Sequence, residues 1–346
     1  MGRWQNRPRP AGVFFGILLL ALAGLAFATG NNLLFLMLSA TLAFGVVSGF
    51  LSRLVLAGLE LELLLPEHVS ARMPAAARVR VRNLKFLTPS FSIELSGRPA
   101  PDTGTPPILA RPVYFPLIPG RATLESAVEV EFSRRGRHLD NLFILSTSFP
   151  FGFVRKSVQV PLHRETIVYP SLSPAPGAEL LLEQITGEIE ALFRGRGLDF
   201  QRIRPWESGD TARSVDWKST AHTGVLQVRE FSREDRKRVE IYLDRRVPPG
   251  GPDSFEHLLE VCAYLVWRLA DGDTVVTLRT DGHVYAIPAD GDVYGALRLL
   301  ALLEPGGRCE PVPAAIGDAV RVALTSHPGS FAASARQPLL VYTGRL

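Results

Sequence analysis

The chain has 346 residues, with 38 Lys and Arg against 34 Asp and Glu, a formal net charge of +4, and 46% hydrophobic residues. So mild a charge over this length makes no case for nucleic acid and gives only a weak preference for an anionic membrane surface. The two cysteines, Cys262 and Cys309, are far apart and form no CxxC pair, which excludes a disulfide framework and suits a reducing compartment.

Two uncharged apolar runs come first. Ala11–Ala28 reads AGVFFGILLLALAGLAFA and Leu33–Leu51 reads LLFLMLSATLAFGVVSGFL. At about 1.5 Å per residue, each is long enough to cross about 30 Å of hydrocarbon. Their Gly, Ala and Ser suit packed membrane helices, where small residues let backbones approach. Thr29-Gly30-Asn31-Asn32 forms a short polar turn between them. A cleaved signal peptide is disfavoured because the first run is long and a second follows at once. A buried soluble hairpin is disfavoured because neither run has a polar face. Arg3, Arg7 and Arg9 precede the first run, Arg53 follows the second, and the turn has no basic residue. By the positive-inside rule both ends are cytoplasmic. The expectation is a multi-pass protein of a bacterial inner membrane, with its N-terminus and soluble domains in the cytoplasm and residues 1–58 forming a tail and a transmembrane hairpin. The lipid bilayer is then its first partner.

Residues 59–172 read as a β-rich domain. Arg78–Arg82 (RVRVR), Phe91–Leu95 (FSIEL), Ala127–Phe132 (AVEVEF) and Ile167–Tyr169 alternate with period two, with Pro and Gly between the runs. That pattern predicts an antiparallel sandwich or barrel. The Pro99–Pro107 stretch is a surface loop by composition, and Ser171–Gly177 (SLSPAPG) is a boundary. Residues 173–346 change rhythm. Helices are predicted over Glu179–Leu192, Ser254–Ala270 (capped by Asp253 or Ser254) and Val293–Leu303. Strands are predicted over Arg238–Asp244, Thr274–Arg279, Val284–Pro288, Ala319–Thr325 and Pro338–Tyr342, with a hairpin turn at Asp281-Gly282. Strands alternating with amphipathic helices imply a mostly parallel, doubly wound sheet.

One segment is denser in special residues than the rest: Gly197–Phe231, GLDFQRIRPWESGDTARSVDWKSTAHTGVLQVREF. Ser208-Gly209 makes a turn, and Asp210 is placed to cap a helix starting at Thr211. Arg213 and Asp216 then follow at spacings of three, giving a carboxylate–arginine–carboxylate row on one helix face. Trp206 and Trp217 can supply apolar cover. Gly224 ends the helix, and Val225–Phe231 forms a strand. Three readings stand: a structural knot, a partner- or ligand-binding surface in which Arg196, Arg202, Arg204, Arg213 and Lys218 hold an anionic group, and a catalytic site.

The segment resembles the domain-of-unknown-function-58 family, whose signature is a GxxF/LxxxRxYxxGDxxRxIxWxxSAR-type run leading into a strand that ends in Asp. Here the matching residues are Gly197, Phe200, Arg204, Trp206, Gly209, Asp210, Arg213, Asp216 and Trp217. Ser219-Thr220-Ala221-His222, Glu230 and Asp244 follow. Arg135-Gly136-Arg137-His138 and Ser148–Phe153 are similar to a second family element, RRGxh…t.DPFGLF, from which Ser148 and Phe149 depart. The resemblance implies a membrane anchor and a C-terminal domain similar to a von Willebrand factor type A domain. It also implies partnership with a MoxR-type AAA+ ATPase and with other von Willebrand A-like or transglutaminase-like proteins. It brings no enzymatic activity.

Von Willebrand A domains often hold Mg²⁺ through a DxSxS loop after the first strand. The corresponding stretch here is Asp244-Arg245-Arg246-Val247-Pro248, so both Ser positions are replaced and two arginines repel a cation. Asp244 is expected to pair with Arg245, Arg246 or an Arg of the signature segment, with no metal and no cofactor. GxxxxGK[ST], HExxH and GxSxG are absent. Cys262 sits on the apolar face of its helix as core, and His222 and His257 read as surface groups. The expected function is a membrane-tethered, non-enzymatic adaptor organised around Arg204, Asp210, Arg213, Asp216 and Trp217. The alternatives are a hydrolase acting on envelope precursors and a membrane sensor, the latter with only a short turn to sense with.

Overall fold

The computed structural model describes residues 4–99, 106–194, 200–207, 215–231, 237–246, 251–271, 274–288, 291–307, 319–328 and 339–343. The chain divides into two compact units, Met1–Tyr169 and Pro170–Leu346.

The N-terminal unit opens with strand β1 (Trp4–Pro8), followed by helices α1 (Pro10–Thr29) and α2 (Asn32–Leu56). Both helices are long and apolar enough to cross a membrane. Pro10 starts α1 where its missing N–H costs nothing, and Gly30 ends it in the left-handed conformation. Asn31 caps α2, its side chain accepting from Leu33 N at 2.9 Å. Most of both helices is exposed, including Phe14, Leu20, Phe27 and Val46. The last turns of α2, from the end of the apolar stretch onward, enter the protein, where Ser48, Ser52, Val55 and Leu56 are buried.

The strands that follow are β2 (Leu59–Leu64), β3 (Val69–Ser70), β4 (Ala75–Asn83), β5 (Ser90–Gly97), β6 (Val113–Ile118), β7 (Thr123–Val130), β8 (Gly136–Thr147) and β9 (Val154–Tyr169). They form two sheets, β1-β9-β8-β5-β6 with β3 beside β9, and β2-β4-β7. All pairings are antiparallel except β3 with β9. Alternation explains the layers: along β4 the Val side chains are buried while Arg78 and Arg82 are exposed. Val79, Val81, Ile93, Leu95, Phe132 and Phe143 join residues from both sheets in one core, each worth roughly 1.5–3 kcal/mol of burial. Val55 and Leu56 of α2 belong to the same cluster, so hairpin and sandwich share a core.

Two lysines fasten that junction. Lys85 Nζ donates to Leu54 O (2.8 Å), Val55 O (3.0 Å) and Ser90 Oγ (2.7 Å). Lys156 Nζ donates to Gly49 O. Leu54 and Val55 belong to the last turn of α2, whose carbonyls have no partner within the helix and carry partial negative charge, so the Lys85 cation suits this place; Gly49 lies about two turns before the helix end. Burial lowers the pKa of Lys85; for Lys156, burial and then the nearby Arg53 do the same.

The C-terminal unit contains α3 (Ala178–Arg194), β10 (Phe200–Pro205), α4 (Trp217–Thr223), β11 (Gln227–Phe231), β12 (Lys237–Leu243), α5 (Pro252–Ala270), β13 (Thr274–Thr280), β14 (His283–Ile287), α6 (Tyr294–Leu302), β15 (Val320–Leu324) and β16 (Leu339–Tyr342). Its main sheet has the order β14-β13-β12-β15-β16. Pairs β12–β13, β12–β15 and β15–β16 are parallel; β13–β14 is the antiparallel hairpin turned at Gly282 (φ 72°). Helix α5 packs on β12 and β13 and touches α3 and α6. It begins at Pro252 after Gly251, with no side-chain cap from Asp253 or Ser254, which lie inside its first turn. Cys262 is fully buried in α5, and burial pushes its thiol far above the ordinary range. Tyr342 Oη donates to Pro176 O (2.8 Å) and lies 3.1 Å from His257 Nε2, tying β16 to α5 and to the turn before α3.

Candidate functional site

Strands β10 and β11 form their own antiparallel ribbon, pairing Arg204 with Val228. The signature segment closes the ribbon. Trp206 N donates to Leu226 O (2.9 Å), Asp216 N donates to Gln227 O (2.9 Å), and Val215 bridges Val228. Residues 215 and 216 are therefore extended, and helix α4 starts only at Trp217. Its cap is Asp216, whose Oδ1 accepts from Ser219 N at 3.0 Å. This corrects the expectation of Asp216 on a helix face: as the N-cap it is extended and stands before the first turn, whereas the expected helix start at Thr211 lies outside the described residues. Gly209, Asp210 and Arg213 lie outside the described residues. Gly224 (φ 71°) ends α4 as expected, and Thr220 Oγ1 accepts from Gln227 N to fix the return into β11.

Exposure separates the two tryptophans. Trp206 is half-buried, but Trp217 is 68% exposed, so Trp217 covers nothing. Val225 and Leu226, at the other end of α4, are also exposed, as is Ile203 on β10. Asp216, by contrast, is buried at 6% exposure. Arg204 Nη1 reaches Pro205 O at 3.1 Å.

A second constellation lies at the C-terminal edge of the parallel strands. The chain leaves β12 toward β13 on one side, while β15 lies on the other, so Asp244 and Thr325 flank the point where the strand order reverses. Asp244 is 2% exposed. Arg246 grips it with Nε to both oxygens (3.0 Å each) and Nη2 to Oδ2 (2.6 Å), and Thr325 Oγ1 donates to Oδ2 at 2.5 Å. Burial alone raises the carboxyl pKa; Arg246 and Thr325 outweigh burial and hold it below the ordinary value. His327 Nδ1 stands 3.9 Å from Oδ2, beyond hydrogen-bond reach.

The donor set does not fit the Mg²⁺ that von Willebrand A domains often hold. Mg²⁺ needs free hard oxygens, whereas here the carboxylate is already claimed by a guanidinium and a hydroxyl. Among the described residues, no three His, Cys, Asp or Glu side chains gather to hold a metal. Calorimetric titration of the full chain in detergent with Mg²⁺ is expected to give no binding heat. A site of micromolar affinity would overturn this account.

One element escaped the sequence reading. Glu240 on β12 lies between Arg279 Nη2 (3.4 Å) on β13 and Arg321 Nε (3.8 Å) on β15, all three largely buried. Its signal was a charged residue next to apolar ones in each of three strands (Val239-Glu240-Ile241, Leu278-Arg279, Val320-Arg321-Val322), but pairing them requires the strand order.

Residues 202–328 match the family model described as Protein of unknown function DUF58. This supports the family resemblance across β10 to β15. No curated protein matches the chain. Among solved structures, that of Spo0M, a sporulation control protein from Bacillus subtilis, is similar at 8% identity and a TM-score of 0.19. The match covers 44% of this chain and only 59% of that one, and a likeness of this size carries no argument.

Proposed function

We propose that this DUF58 chain is a membrane-tethered, non-enzymatic adaptor. In this reading α1 and α2 cross the bacterial inner membrane with both soluble units on the cytoplasmic side. The C-terminal unit is a doubly wound, von Willebrand factor A-like domain that presents a surface to a MoxR-type AAA+ ATPase during assembly of a membrane or envelope complex. The observation that carries the reading is Trp217, 68% exposed on a helix whose cap and closing turn are tied into the β10–β11 ribbon. Exposed, rigidly presented tryptophan is typical of the anchor of a protein interface. Arg7, Arg9 and Arg53 beside the apolar helices, with none in the turn, support the orientation.

Trp217→Ala is expected to weaken capture of a co-expressed MoxR-type ATPase by at least about tenfold, roughly 1.4 kcal/mol or more. Capture at wild-type strength by a folded variant would remove this surface from the adaptor reading.

A further inference from the structure

The β sandwich meets the two apolar helices through a loop with no charged residue. Ser148–Val154 reads SFPFGFV, and Arg155 and Lys156 follow at once. The Phe151 ring stacks on Phe44 of α2 at 4.0 Å, and Phe153 stacks on Phe15 of α1 at 4.4 Å. Phe44 lies seven residues before Leu51 and Phe15 four after Ala11. At 1.5 Å per residue they stand about 10 Å and about 6 Å inside their uncharged runs. The loop therefore runs alongside the helices rather than ending below them. Gly12 makes this possible: a Cβ there would meet Phe153 O at 2.0 Å, and Arg9 N donates to that carbonyl at 3.1 Å.

Irregular backbone persists at membrane depth only where protein satisfies its polar groups. Here Gly152 N donates to Ser148 O (2.7 Å), Ser52 Oγ donates to Phe149 O (2.6 Å), Phe149 N donates to Thr147 Oγ1 (3.2 Å), and Pro150 has no N–H to satisfy. Phe151 as a whole remains 45% exposed. A second loop sits beside the last turn of α2, held by Lys85 and by Leu84 N donating to Gly58 O at 2.8 Å. It exposes Leu84 (50%), Phe86 (62%) and Leu87 (83%), and Arg121 lies 3.9 Å over the Phe86 ring. Aromatic and aliphatic tips, with the Arg121 guanidinium over the Phe86 ring and exposed Arg53 in the last turn of α2, are the composition of a headgroup-level anchor on anionic lipid.

We propose that the sandwich inserts both loops into the adjoining leaflet, Ser148–Phe153 among acyl chains and Leu84–Leu87 at the headgroup boundary. The occupant of these apolar tips is lipid, because they continue the surface of α1 and α2. The proposal rests on the membrane-crossing reading of those helices. It makes the sandwich a membrane-seated body of fixed orientation rather than a freely swinging one.

The test uses the full chain carrying Cys309→Ser, with Cys262 buried, in nanodiscs of phosphatidylethanolamine and phosphatidylglycerol. Phe151→Cys, Leu87→Cys and Ile17→Cys are each labelled with the fluorophore NBD and exposed to lipids bearing a nitroxide in the headgroup or in the acyl chain. Position 151 should be quenched at least twofold more by the acyl-chain nitroxide, and position 87 at least twofold more by the headgroup nitroxide. Leu87 is almost fully exposed, so its replacement leaves the fold intact and keeps the test open should the Phe151 variant misfold. Quenching at 17 with water-like, unquenched emission at 151 and 87 overturns the insertion alone. No quenching at 17 overturns the membrane-crossing reading and the insertion with it. Labels at 151 and 87 shielded from both lipid nitroxide and aqueous iodide would mean that protein, a second copy or a partner, covers the tips, and that too overturns the proposal.

Discussion

Asp244→Ala is expected to cost the C-terminal unit about 3 kcal/mol, the low end for breaking a buried charge pair. The low end applies because the Arg246 side chain keeps 18% of its exposure, against 3% for Asp244. The loss has two parts. The Arg246 guanidinium is left half-buried without its bidentate acceptor, and Thr325 loses the acceptor of its hydroxyl proton. Both groups end adjacent parallel strands, and Asp244 N donates to Leu324 O, so the damage falls on the centre of the sheet. Hydrogen exchange of the slowest β12 and β15 amides, in the full chain in detergent, reads the change directly. A difference below about 0.5 kcal/mol would place the pair with weak surface bridges and sink this account.

The same pair sets a pH dependence. The Asp244 carboxyl is held below its ordinary value in the folded chain, so the unfolded chain binds the extra proton as pH falls. Its contribution is complete above the unfolded carboxylate pKa of about 3.9 and is lost as pH falls through the lower folded value. The gap between wild type and Asp244→Ala should therefore be constant near neutrality and narrow below about pH 4.

Lys85→Ala is expected to loosen the junction of hairpin and sandwich by about 2 kcal/mol, the scale of charge-assisted bonds lost from carbonyls that keep little else. Ser90 Oγ still donates to Val55 O, which limits the cost at that carbonyl; Leu54 O loses its Lys85 donor. Lys85→Met separates the causes, because it keeps the aliphatic stem packed and removes only the donors. Faster exchange of the Ala57 and Leu84 amides in both variants would assign the effect to the donors. Faster exchange in Lys85→Ala alone would assign it to packing and refute the capping role.

Much of the layout was legible because it rests on local chemistry. Alternating Val and Arg in β4 mark one buried face, and Asp281-Gly282 turns β13 into β14. Phe255, Leu258, Leu259 and Cys262 mark the inner side of α5. What escaped depends on partners distant in sequence. Strand β1 lies in a polar tail with no periodic pattern and exists because the edge of β9 pairs with it. Within the signature segment, Asp210 and Asp216 carry the same capping chemistry. Local pattern favoured the first, whereas the backbone bonds of residues 215 and 216 to β11 make the second the cap of α4. Trp217 shows the same limit: its apolar bulk suggests cover, but as the first residue of α4, just after the Asp216 cap, it is 68% exposed.

By itself, then, the sequence determined the two uncharged runs, the alternation of the sandwich strands, the strand–helix rhythm that follows and the loss of the Ser ligands beside Asp244. Hydropathy, periodicity and residue chemistry are properties of neighbouring positions, so they survive without coordinates. Tertiary structure alone decided that Arg246 rather than Arg245 holds Asp244, that Glu240 sits between two arginines from flanking strands, and that the Phe151 loop lies along the apolar helices. Each of these joins residues from separate segments, and only the strand order and the packing of loops on helices bring such atoms within bonding distance.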